Sequence, residues 1–234
     1  MEVCRITRSP TSKSRVEILY DLRKIREYNQ AEFFCARLNF LIQNKKHFAK
    51  HYIKFDHNMS SDAFIRTKNI GTVYKTLKII LDATTQSLRD RLLKESINKF
   101  DIMHNLTFIL SRIQILHQSN IPYGFINELY ITDDFKLQPL PLLYDIPAIF
   151  INSSRMELLT VPMHNFSLSH DIFDLGKLIY SLSNQGKLIY NNLENNFISG
   201  APFLIKELMN KDECQRPKLN DELIRRILYY FENR

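Results

Sequence analysis

The segment from residue 97 to residue 141 places the strongest restriction on how this chain can fold. Between 97 and 118, apolar residues recur at steps of three and four, at Leu106, Ile109, Leu110, Ile113 and Leu116. That spacing predicts a helix with one buried face. The letters that follow, LHQSNIPYGFINELYITDDFKLQPLP over 116–141, contain prolines, aspartates and short apolar runs, which predict a turn, a loop and two strands joined by a second turn. The middle of the chain is therefore expected to be a helix–loop–β unit.

The rest of the chain divides into a small mixed region and a larger helical one. A chain of 234 residues with 44% hydrophobic content can bury one large core or two small lobes. Its patterning predicts strands at 16–24, 51–56 and 70–83, and helices at 27–48, 86–96, 97–118, 170–186, 202–210 and 218–232. We therefore expect an α+β fold in three parts: a disordered basic N-terminus at 1–15, a small first lobe at 16–84 and a mostly helical second lobe at 85–234.

Positive charge is concentrated near the N-terminus. The chain carries a formal net charge of +7, and residues 1–58 contain twelve Lys and Arg against six Asp and Glu. A basic surface of this kind suits nucleic acid or an acidic partner, although a solvated basic face is the commoner outcome. Three widely spaced cysteines do not predict a disulfide framework. The best apolar run, at 140–151, contains Asp145 and two prolines, so we expect an intracellular protein without a membrane span.

Three motifs, in order along the chain, resemble those of eukaryotic protein kinases. In the first, the residues similar to the family's catalytic loop and metal-binding strand are Leu116, His117, Ile121, Leu129, Ile131, Lys136 and Leu137. The second, DIFDLG at 171–176, resembles the start of the family's central buried helix, and the third, LIKELMNKDECQRP at 204–217, resembles a motif near its C-terminal end. The resemblance implies a two-lobed kinase-like fold with a reduced N-lobe and a helical C-lobe. It also implies three structural anchors: Asp171, whose carboxylate would accept hydrogen bonds from loop N–H groups, Gly176, and a buried Arg216.

The residues that perform phosphoryl transfer in that family are replaced here. The family's His-Arg-Asp is matched by Tyr123, Gly124 and Phe125, and its Asp-Phe-Gly by Pro139, Leu140 and Pro141. Phe125 cannot accept a proton, and Pro139 supplies no anionic oxygen to Mg²⁺. Asn127 does not fall clearly at the second metal position, and Lys24 with Glu32 is only a generic match to the family's nucleotide lysine and its helix partner. We therefore assign no catalytic, cofactor-binding or metal-binding residue.

These replacements predict a catalytically inactive pseudokinase that acts as a protein-binding scaffold or as an allosteric subunit of a larger complex. Its partner would be a protein, such as an active enzyme. The residues leave two other functions open. An atypical active kinase or nucleotide-binding switch would use displaced acids at Asp133, Asp134 and Asp145, and a basic helical nucleic-acid-binding module would use Lys45, Lys46 and Lys50.

Overall fold

A computed structural model describes ten stretches of the chain: residues 4–8, 15–27, 31–56, 65–82, 86–128, 130–139, 148–152, 155–159, 167–184 and 201–233. Contacts group the chain into two compact units. The first contains Met1–Thr85 and Gln138–Met163, and the second contains Gln86–Leu137 and His164–Arg234. The predicted α+β class is confirmed. The chain leaves the first unit after Thr85 and re-enters it at Gln138. Apolar periodicity does not indicate this second passage.

The first unit is built on a four-stranded antiparallel sheet with the strand order β1-β2-β4-β3. Its strands are β1 (Cys4–Arg8), β2 (Arg15–Asp21), β3 (His51–Phe55) and β4 (Thr76–Asp82). Ile18 lies opposite Ile79 and Tyr20 opposite Leu77, and all four side chains are buried. Cross-strand partners share one face of a sheet, so these residues form its core side. A separate hairpin consists of β5 (Ala148–Asn152) and β6 (Arg155–Leu159).

Strand β1 differs from the expectation for residues 1–15. Their polar, basic composition predicts disorder, yet Cys4–Arg8 pair with β2 in a register that runs from Cys4 opposite Tyr20 to Arg8 opposite Val16. Pairing of this kind satisfies backbone N–H and C=O groups whatever the side chains are. Composition therefore does not prevent a strand at this position.

The helices of the first unit are shorter than the sequence pattern suggests. The strand predicted at 16–24 ends at Asp21, whose carboxylate accepts a hydrogen bond from the backbone N–H of Arg23 at 3.1 Å and another from its guanidinium at 2.9 Å. The chain then turns into α1 (Leu22–Glu27), so Lys24 lies in a helix.

Helix α2 (Ala31–Gln43) falls inside the predicted 27–48 range and buries the apolar side chains of Phe34, Leu38 and Leu41.

The second unit contains the five helices predicted for this part of the chain. They are α3 (Leu88–Lys94), α4 (Lys99–Gln118), α5 (Leu168–Ser183), α6 (Phe203–Leu208) and α7 (Asp221–Glu232). Four of them begin after a polar cap whose side chain accepts a hydrogen bond from a first-turn N–H: Ser87, Asn98, Ser167 and Asn220. These caps satisfy amides that have no partner within the helix, which is why each helix begins where it does.

The core of the second unit lies between the apolar faces of these helices. Helix α4 buries the predicted stripe that includes Leu106, Ile109 and Ile113, and α5 buries Ile172 and Leu175. Among the described residues of the β section predicted after α4, two isolated bridges form, between Ser87 and Thr132 and between Ile131 and Leu137. Within the described ranges, no helix is long and apolar enough to cross a membrane.

Candidate functional site

The loop at 119–128 leaves the end of α4 through two residues with left-handed backbone. Asn120 has φ 55° and reverses the chain, after which the N–H of Ile121 donates to the carbonyl of Leu116 at 2.9 Å. Gly124 has φ 105°, a conformation that L side chains rarely adopt. The glycine therefore lets the loop turn toward the first turn of α5, and the loop residues Tyr123, Gly124 and Ile126 are buried.

The carboxylate of Asp171, in the first turn of α5, holds this loop in place. Its Oδ2 accepts hydrogen bonds from the Tyr123 N–H at 2.6 Å and from His117 Nε2 at 2.9 Å, and its Oδ1 accepts one from the Gly124 N–H at 2.9 Å. The Asp171 residue is only 1% exposed. A buried carboxylate is stable only where hydrogen bonds replace its lost water, and these three donors do so. The bonds to the loop amides are those that the kinase resemblance implies for Asp171.

A second carboxylate, Asp174, lies one helical turn further along the same face of α5. It accepts a hydrogen bond from the backbone of Ile126, and Lys177 Nζ lies 3.6 Å from its Oδ1. Burial raises the pKa of Asp174 to about 7, with a further contribution from the charge of Asp171, while Lys177 opposes the rise. Sequence reasoning missed Asp174, although an acid three residues after Asp171 was a signal that both would face the loop.

Aromatic side chains fill the space around the loop. Tyr123 is completely buried, and its hydroxyl donates to the carbonyl of Tyr130 at 3.2 Å. The ring of Phe125 is half-buried, with its centroid 5.6 Å from that of Tyr130. Burial raises the pKa of Tyr130 to about 12. The position that the kinase resemblance assigns to an acid is therefore occupied by a packed aromatic ring.

The other residues singled out from the sequence do not gather at this loop. Asn127 is half-buried, and its carbonyl accepts the Tyr130 N–H at 3.1 Å. Pro139 is buried and belongs to the first unit, whereas Leu140, Pro141 and Asp145 lie outside the described residues. Lys24 is half-buried at the end of α1 and Glu32 is exposed at the start of α2. Within the described part of the chain, no ion pair joins Lys24 to Glu32.

The two displaced acids of the alternative hypothesis, Asp133 and Asp134, lie in the turn between Thr132 and Lys136. Asp134 is bonded to Thr132 Oγ1 and paired with Lys136, and the carbonyl of Asp133 accepts a hydrogen bond from Arg91 at 2.9 Å. Together with α3 they border a cleft of about 310 Å³ lined by Gln86, Arg91, Lys94, Glu95, Asp133 and Asp134. All six of these residues carry polar or charged side chains.

Gly176 and Arg216 fix how α5 meets the end of the chain. A Cβ atom on Gly176 would lie 2.7 Å from Met209 Cγ and 3.0 Å from Leu208 Cβ, so the glycine allows close approach of α6. The side chain of Arg216, which the kinase resemblance implies is buried, is 7% exposed, and the residue as a whole is half-buried. Its Nε donates to the carbonyl of Asn210 at 2.8 Å and its Nη1 to that of Ser169 at 3.1 Å, and its guanidinium carbon lies 4.8 Å from the centroid of the Phe173 ring.

Fold and site together define an α+β protein in which the carboxylate of Asp171, in the helical second unit, holds the buried loop at 119–128 by hydrogen bonds. Within the described ranges, no group of three or more His, Cys, Asp and Glu side chains is placed to hold a metal ion. No protein-family model matches this chain, and no curated protein matches it.

Proposed function

We propose that this protein is a catalytically inactive protein-kinase-like domain that acts as a scaffold or allosteric subunit of a larger complex. The observation that carries the proposal is the triple hydrogen bonding of Asp171 to Tyr123, Gly124 and His117. It fixes the shape of the loop that resembles a kinase catalytic loop. At the position where that family has a catalytic acid, this loop has Phe125.

A fixed loop that carries Phe125 in place of a catalytic acid supports a role for shape. Phosphoryl transfer depends on charged groups that orient the nucleophile and the phosphates. Here the loop side chains nearest the anchor are Tyr123, which is wholly buried, and Phe125, which packs on Tyr130. Such a domain would act on a partner by binding one of the partner's conformations more tightly than another.

The outer face of α4 is where we place the contact with a protein partner. Phe100, Phe108 and Ile115 recur on that face and are 74%, 47% and 38% exposed. Helix α4 is thus apolar on two sides, and the part of the chain that the structure describes covers only one of them. Arg112 is half-buried at the border of the outer face, and its guanidinium carbon lies 5.9 Å from the centroid of the Phe108 ring. The partner that fits is an amphipathic helix whose apolar side carries a carboxylate facing Arg112.

A phosphoryl-transfer assay and a melting experiment test the loss of catalysis. Purified protein incubated with ATP and Mg²⁺ is expected to transfer no phosphate to itself or to generic substrates, and its melting temperature is expected not to rise with ATP. Phosphate transfer that is lost in Asp133→Asn or Asp134→Asn would contradict the proposal and favour the atypical kinase. A reproducible rise in melting temperature with ATP would count against it as well.

Reconstitution with an identified partner tests the scaffold role. Proteins captured from native extract are identified by mass spectrometry, and the strongest candidate is purified and mixed with this protein. We expect a stoichiometric complex that is lost in Phe100→Ser/Phe108→Ser and retained in Leu93→Ser, a control that changes another exposed apolar side chain, 70% exposed on α3. Arg112→Glu is expected to weaken the complex, and a reversed charge on the partner to restore it. Failure to form any stoichiometric complex would overturn the scaffold role.

A further inference from the structure

The fold of the first unit brings together lysines that are separated in the sequence. Lys54 on β3 lies directly opposite Lys78 on β4, and Tyr52 lies two residues before Lys54, on the same side of the strand. Lys45, from the short turn before β3, places its Nζ 5.2 Å from the centroid of the Tyr52 ring. We call the residues Lys45, Tyr52, Lys54 and Lys78 the lysine face.

Most of the positive charge on the lysine face is not neutralised within the described residues. Lys78 forms an ion pair with Glu17 at 2.8 Å, but neither Lys45 nor Lys54 has an acidic partner in the described part of the chain, and both are exposed. Like charges directly opposite one another on neighbouring strands destabilise a sheet. Glu17 offsets the charge of Lys78, so a bound anion would act mainly on the charges of Lys54 and Lys45.

Exposed apolar groups lie among these charges. Tyr52 is 41% exposed. Leu19, on strand β2, lies directly opposite Lys78 and is 38% exposed. An aromatic ring on an open sheet surface suits stacking against a nucleic-acid base, while the surrounding ammonium groups suit the phosphates. An acidic protein surface would complement the charge but would have no specific use for the ring.

We propose that the lysine face binds single-stranded nucleic acid. Tyr52 stacks on a base, and Lys45, Lys54 and Lys78 contact the backbone phosphates on either side of it. Binding is electrostatic in its dependence on salt and weakly selective for sequence, because the face offers charges and one ring. This activity is separate from the proposed scaffold role, which depends on α4 and on the loop at 119–128.

Fluorescence anisotropy with the full chain tests the proposal. Labelled single-stranded RNA and DNA oligonucleotides, about ten nucleotides long, are titrated with the protein at salt concentrations from about 50 to about 200 mM. Lys45→Glu/Lys54→Glu is expected to weaken binding at least about tenfold and to lower the salt slope by about two, one for each lost phosphate contact. The matched control, Lys211→Glu/Lys218→Glu, makes the same change in net charge at two exposed lysines of the second unit and is expected to leave affinity within about twofold.

The aromatic contribution is tested separately. Tyr52→Ala is expected to weaken binding by about fivefold or more, whereas Tyr52→Phe keeps a ring for stacking and is expected to bind like the native protein. Circular dichroism checks that each variant is folded, and Lys45→Gln/Lys54→Gln substitutes for the charge-reversed pair if that pair is not. Absence of binding at the lowest salt, or equal loss in the second-unit control, would overturn the proposal. Binding to an acidic peptide as strong as to RNA, and unaffected by Tyr52→Ala, would overturn it in favour of an acidic protein partner.

Discussion

His117 Nε2 lies 2.9 Å from Asp171 Oδ2, although 54 residues separate the two in the chain. The same oxygen accepts the N–H of Tyr123 at 2.6 Å. The end of α4, the loop that follows it and the start of α5 are thereby joined at one atom. Removing the Asp171 carboxylate should therefore destabilise all three elements.

Asp171→Ala is expected to lower the free energy of unfolding by about 3 to 5 kcal/mol, because it leaves buried amides of Tyr123 and Gly124 without an acceptor. Asp171→Asn keeps one acceptor oxygen and should cost less. Urea denaturation measures both, and Asp101→Ala, at an exposed acid in the first turn of α4, is the control. The double variant with His117→Ala should be more stable than the sum of the single losses predicts, since the two side chains interact directly. Additive losses would show that the pair is not coupled.

Gly176→Ala is expected to destabilise the second unit by about 1 to 3 kcal/mol, because its Cβ would overlap Met209 Cγ and Leu208 Cβ. On an open helix surface the same change would stabilise by about 1 kcal/mol, so the sign of the effect is diagnostic. Thermal unfolding provides the measurement. Met209→Ala should relieve part of the strain when combined with Gly176→Ala, and a single variant as stable as the native protein would refute the close approach.

Asp174 should make stability depend on pH. Its folded pKa of about 7 lies above the ordinary value of 3.8, so the folded state holds a proton that the unfolded state has already lost. The contribution of Asp174 to stability therefore falls as pH rises from about 4 to about 7 and is fully lost above that. Relative to Asp174→Asn, the free energy of unfolding of the native protein should fall by about 1 to 4 kcal/mol across this range. We expect a value near the lower end, because the Asp174 side chain is 20% exposed and solvent screens its charge.

Urea midpoints measured at intervals across that pH range would test this dependence, with Asp101→Asn as a control for loss of one negative charge. Parallel pH profiles for the native protein and Asp174→Asn would show that the site is not perturbed. A profile that rises with pH relative to Asp174→Asn would mean that the charged form is favoured, with Lys177 outweighing burial.

Arg216→Lys is expected to destabilise the protein by about 2 to 3 kcal/mol, although it keeps the charge. An ammonium group cannot reproduce the two divergent hydrogen bonds to Asn210 and Ser169 or the flat contact with Phe173. Hydrogen exchange should show faster exchange at the first turn of α5, where Ser169 lies. Arg225→Lys, at an exposed arginine of α7, is the matched control. Equal stability of the two variants would mean that Arg216 acts only through its charge.

Local signals explain how much of the second unit could be predicted. Apolar periodicity, as in α4, and cap residues are signals that lie within or next to the helix that they mark. They therefore predict the helices of this unit. The role of Asp171 was expected from the resemblance of residues 171–176 to a kinase motif, and its position in the first turn of α5 agrees with that expectation. Asp174 carries an equally local signal, but its raised pKa depends on burial against the loop, which no sequence spacing reveals.

Long-range packing decided the features that could not be predicted. Strand β1 forms because a neighbouring strand supplies its hydrogen bonds. The lysine face exists only through the β3–β4 register, which places Lys78 beside Lys54.

By itself, the sequence determined the helices of the second unit and the absence of an acid at Phe125, because both are properties of residues close in the chain. Only the tertiary structure decided that Asp171 joins His117 to the loop amides, that Gly176 admits α6 and that Lys45, Lys54 and Lys78 lie around Tyr52. Each of these depends on groups from distant parts of the chain, whose approach is set by burial of the shared cores and by strand register.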